Sequence, residues 1–200
     1  MKTSPRLFAA ALCVMSLGVA QALAATSATS GTKKLPSGLS FSYDAQHDQV
    51  NANGVSALTM ASPTITPTTG TINVTINIKL VSHFRHNTAI HCALAVVGGQ
   101  LDIVNQGIDG AIETVNGVAT SDGSGSAVCK LTIPYSWSLP PDPIAVNGII
   151  LAFGASAVRD RGDFDDGSAN QVLRSTLQVD GVESVPANGG TASYVFDVAL

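Results

Sequence analysis

Between Gly70 and Leu80 the chain reads GTINVTINIKL, with apolar and polar residues alternating without a break. Ile72, Val74, Ile76, Ile78 and Leu80 fall on one side of an extended backbone, and Thr71, Asn73, Thr75, Asn77 and Lys79 on the other. A period of two over this length predicts a strand with one face in a core and one in water. AIHCALAVV (89–97) has Ile90, Cys92, Leu94 and Val96 in the same phase. SAVCKLTIPYSW (126–137) has Cys129, Leu131, Ile133, Tyr135 and Trp137 in phase. Further strands are predicted over 39–43, 55–60, 111–119, 144–158, 171–179 and 192–200.

Turn chemistry separates these segments: Asn53-Gly54, Gly98-Gly99, Asp109-Gly110, Asn116-Gly117, Asp122-Gly123, Asp180-Gly181 and Asn188-Gly189-Gly190. No stretch shows a capped helical stripe. About nine short strands at this spacing predict an all-β fold, an antiparallel two-sheet β-sandwich in preference to a barrel. Both mature cysteines project from apolar faces, which predicts one core-facing disulfide between Cys92 and Cys129. Closing that loop is worth roughly 4 kcal/mol in the chain-entropy model. Cysteine and Trp137 on one apolar face resemble the pin of immunoglobulin-like domains, although there the tryptophan lies between cysteines farther apart. The resemblance implies an immunoglobulin-like sandwich, and a jelly-roll-like one is the other arrangement the strand pattern allows.

The first 24 residues belong to no strand. Lys2 and Arg6 precede an apolar run from Leu7 to Ala20, and Ala22-Leu23-Ala24 gives the small-x-small pattern of a signal-peptidase site. The run is shorter than the ~20 residues needed to span a bilayer. Residues 1–24 are therefore expected to be a cleaved export signal, 25–38 a flexible polar arm, and 39–200 a single β-sandwich domain. Cys13 lies mid-way in the apolar run after Leu12, not after the small residue that lipidation requires.

Removing the signal leaves eight basic residues against fourteen acidic ones, a net charge of −6. That balance offers no electrostatic footprint for nucleic acid or anionic lipid. No later apolar stretch reaches spanning length, since 144–158 is broken by Asn147, Gly148 and Gly154. A secreted, periplasmic or cell-surface location is expected.

Two polar concentrations carry candidate chemistry. In SHFRHNTAIHC (82–92), His83, His86 and His91 could offer three imidazoles to Zn²⁺ or Cu²⁺. Strand parity turns His91 away from Cys92, and the predicted disulfide removes that thiol. A polar hairpin loop is the preferred reading, with histidines dispensable for folding. In RDRGDFDDGSANQ (159–171), Asp160, Asp163, Asp165 and Asp166 could offer carboxylates to Ca²⁺. The EF-hand order fails there, because Gly167 is misplaced and no Glu closes the loop.

Catalytic signatures are missing: there is no GxSxG elbow, HExxH, P-loop or dinucleotide-binding glycine pattern. Trp137 is the one aromatic residue large enough to dominate a sugar platform, and its parity points it inward. The sequence thus predicts a non-catalytic structural, adhesive or binding module of the bacterial envelope, partnered by other envelope or extracellular proteins. The alternative is a metal-binding periplasmic protein using the loop histidines or the Asp-rich loop, with Zn, Cu or Ca.

Overall fold

The computed structural model describes residues 29–57, 66–81, 88–102, 107–121, 125–139, 146–159 and 171–200. These form twelve strands and no helix: β1 (Thr29–Lys34), β2 (Ser40–Asp44), β3 (Gln49–Asn53), β4 (Val55–Ala57), β5 (Thr68–Lys79), β6 (Thr88–Asp102), β7 (Gly107–Val118), β8 (Thr120–Ser121), β9 (Ser126–Trp137), β10 (Val146–Arg159), β11 (Gln171–Ser184) and β12 (Gly190–Ala199). They make three sheets, ordered β1-β2-β3, β11-β10-β6-β7-β4 and β12-β5-β9-β8. The expected export signal lies outside the described residues.

The alternation that predicted β5 and β9 is what the structure shows. Ala127, Cys129, Leu131, Ile133, Tyr135 and Trp137 of β9 are buried, and the residues between them are exposed. β5 and β9 pair antiparallel, with Ile72 opposite Ile133 and Ile76 opposite Cys129. Their apolar faces meet Ile90, Cys92, Leu94 and Val96 of β6 and Ile149, Leu151 and Phe153 of β10 in one core. Full burial of each large side chain contributes roughly 1.5–3 kcal/mol, so this core is the main source of stability. Cys92 and Cys129 stand at disulfide distance across it, with Cα atoms 6.6 Å apart. They tie the five-stranded sheet to the four-stranded one.

Two pairings depart from the all-antiparallel expectation. β12 runs parallel to β5, and β4 parallel to β7. Alternation reveals which face of a strand is buried but not which way its neighbour runs, so the pattern is silent on direction. Residues 29–34, inside the stretch expected to be a flexible arm, form β1 and pair with β2. A register shift at Gly31, whose φ is +38°, bends this polar strand.

The larger departure is a second core. Leu39, Phe41, Tyr43, Ala45 and Val50 of the three-stranded sheet pack on Ala93, Ala95, Val97, Ile150, Ala152 and Leu177. These last six lie on the face of the five-stranded sheet turned away from the disulfide. Strands β6 and β10 are consequently covered on both faces, which is why ALAVV and IILAFGASAV lack polar residues at alternate positions. Several glycine pairs read as turns sit inside strands instead. The Trp137 ring lies over Gly98, where a Cβ would come 2.4 Å from it.

Candidate functional site

A chain of polar side chains crosses the second core. It starts at Ser156 on β10, whose Cα pairs directly with that of His91 on β6. Both residues face the three-stranded sheet. Ser156 is wholly buried, and its Oγ lies 3.0 Å from the Tyr43 hydroxyl on β2. Tyr43 reaches it because its ring lies on Gly154, where a Cβ would come 2.5 Å from Cγ of the ring. The run of small residues from Ala152 to Ala157 leaves the space.

The Tyr43 hydroxyl also makes a longer contact, 3.4 Å, with Oδ1 of Asp48, and Oδ2 of Asp48 meets Nδ1 of His91. An ionised carboxylate can only accept. The phenol proton therefore goes to Asp48, the Ser156 proton goes to the phenol oxygen, and Nδ1–H of His91 donates to Asp48. Burial is the main cause that pushes the Tyr43 phenol far above its ordinary value, and the Asp48 and Asp44 carboxylates push it the same way. Tyr43 remains a hydrogen-bond donor at any ordinary pH.

The turn between β2 and β3 sets Asp48 in place. Oδ1 of Asp44 accepts from the backbone N–H of Gln46 at 3.0 Å and of His47 at 3.3 Å, an Asx-type turn. Oδ2 of Asp44 holds Nδ1 of His47 at 2.7 Å. That contact, more than the two N–H groups, lowers the Asp44 carboxyl below its ordinary value. Asp48 closes the turn at φ +50°, a left-handed conformation that Asp tolerates better than most residues. Beside the turn lies a cleft of about 220 Å³, lined by His47, Asp48, Gln49, Val50, Thr114, Val115 and Asn116.

Of the residues singled out from sequence, Cys92 and Cys129 come together and His91 joins the polar chain. Parity correctly turned His91 away from Cys92, but it faces Asp48 rather than solvent, with a side chain 22% exposed. His83 and His86 lie outside the described residues, as do Asp160, Asp163, Asp165 and Asp166. Tyr43, Asp44, Asp48 and Ser156 were not legible as a site. The signal available was the polar turn DAQHD set between apolar Tyr43 and Val50.

Compared with protein-family models, with characterised proteins and with solved structures, the chain shows no match. Among the described residues, no helix is long and apolar enough to cross a membrane.

Proposed function

We propose that the protein is an exported, non-catalytic β-sandwich module that binds or builds structure in the bacterial envelope or outside the cell. In this reading the five- and four-stranded sheets are the sandwich, immunoglobulin-like or jelly-roll-like in type. The three-stranded sheet is a cover laid on its outer side. The observation that carries the reading is the closed polar chain from Ser156 to His91. Each group is taken up by the next, and the one hydroxyl placed like a nucleophile has no exposed surface. A nucleophile needs room for an acyl or phosphoryl group beside it and a base within reach. Here the hydroxyl meets a phenol, and the histidine is held by the carboxylate of the turn. The chain reads as a polar bolt between two sheets, rigidifying a cover that a small apolar core alone would hold loosely.

A cysteine pair spanning the main core supports an oxidising compartment. The test is cell fractionation of the expressed full chain, followed by fluorophosphonate labelling of the folded protein. Recovery outside the cytoplasm with no adduct on Ser156 is expected. An adduct on Ser156 overturns the non-catalytic reading, and recovery in the cytoplasm with two free thiols overturns export.

A further inference from the structure

The three-stranded sheet leaves part of the sheet beneath it bare. Its core rests on β6, β10 and β11, while β7, next to β6, continues the same face uncovered. Register sets Ile112 beside Val97, Thr114 beside Ala95, Asn116 beside Ala93 and Val118 beside His91. All four are exposed, Ile112 at 39% and Val118 at 65%. Above this strip runs β3, the last strand of its sheet, with β2 as its paired neighbour. The cleft described above lies between the two. Gln49 and Val50 form its wall, Thr114 and Asn116 its floor, and His47 and Asp48 one end.

We propose that this groove takes an extended peptide strand of a protein partner, which pairs with β3 as the fourth strand of the small sheet. The proposal rests on the binding reading above and names the kind of partner.

Two features select a strand over other occupants. An edge strand turns N–H and C=O groups outward at alternate residues, and another extended backbone satisfies that row in full. A strand added one spacing beyond β3, about 4.8 Å, would lie over β7 with its inward side chains on the strip. The strip also specifies sequence. Its ends are apolar, at Ile112 and Val118, and its middle is uncharged and polar, at Thr114 and Asn116. Since β7 side chains on one face recur at every second residue, a matching segment carries apolar residues six positions apart. Small polar residues stand between them.

A random peptide library displayed on phage and selected on the oxidised protein tests this. Enriched peptides should carry that pattern, and their binding should fall at least tenfold in Val118→Asp and in Thr114→Lys. Val182→Asp and Val195→Asp, at exposed positions on β11 and β12, should leave it unchanged. Synthetic peptides N-methylated at alternate positions give the reading specific to strand addition. One phase of methylation should abolish binding and the other should spare it. No enrichment over the Val118→Asp/Thr114→Lys double variant overturns the proposal. So does equal sensitivity to both methylation phases, or a concentration-dependent dimer that Val118→Asp dissolves, which would make the occupant a second copy. These failures fall on the strand proposal alone, whereas labelling of Ser156 falls on the binding reading.

Discussion

Replacing Tyr43 by Phe removes one oxygen and leaves the ring on Gly154, so its effect isolates the polar bolt between the sheets. The variant strips Ser156 of its partner at a position with no access to water. A buried hydroxyl left unpaired costs about 1–3 kcal/mol. Asp48 keeps His91, so no carboxylate is left bare. Ser156→Ala removes the other end and leaves Tyr43 bonded to Asp48. It should cost about 0.5–1.5 kcal/mol, the net worth of an ordinary buried hydrogen bond. The double variant contains no orphan hydroxyl and should fall short of the sum by about 1 kcal/mol or more. Urea unfolding of the oxidised protein reads all three. With a slope of about 2 kcal/mol/M, Tyr43→Phe should lower the midpoint by roughly 0.5–1.5 M. Additivity of the two single effects within about 0.5 kcal/mol would refute the bond.

Gly154→Ala drives a methyl group into the Tyr43 ring and should cost about 1–3 kcal/mol in the same assay, as overpacking does. Replacing Cys92 and Cys129 by Ala should cost about 2–5 kcal/mol, read as a lower urea midpoint of an unreduced sample. Asp44 titrates low because His47 holds it, so the stability this pair supplies is present above the ordinary carboxylate range and fades as pH falls through the lowered value. Carboxyl NMR should show the Asp44 midpoint moving up in His47→Ala. Burial also raises the Tyr135 and Tyr194 phenols alongside Tyr43, so native protein should form tyrosinate only above the range of free tyrosine. Tyrosines of the unfolded chain lose their protons first, near pH ~10, so stability should fall as pH rises past that point. An alkaline absorbance titration checks both.

Alternation gave away the main core because β5 and β9 have one wet face, and a wet face must be written in polar residues. The second core hid for the opposite reason. In β6 and β10 both faces are dry, and an unbroken apolar run carries no phase that says where each side goes. His91 shows the limit most plainly. Its parity was readable, but the sheet that covers it comes from residues 29–53, most of which look like polar linker. β1 and β3 are short and mostly polar, so nothing in them announces a core. Glycines misled in a related way. Gly98 and Gly110 were read as turn residues, and both sit inside strands where a ring or a neighbouring backbone comes too close for any Cβ. The polar bolt assembles from three separated segments, and Tyr43 and Ser156 are 113 residues apart.

The parallel pairing of β12 with β5 sets the order in which the molecule can be finished. Asn77 and Asp197, hydrogen-bonded side by side at 2.9 Å, are separated by 120 residues of chain. Until residues 190–199 emerge, β5 carries an open flank ten residues long in the middle of the protein's most regular sheet. Such distant contacts form late and slowly, and an unmatched strand edge invites neighbouring chains during the wait. A growing chain is therefore most vulnerable to aggregation just before its last strand arrives, and shielding of β5 over that interval governs the yield of native protein.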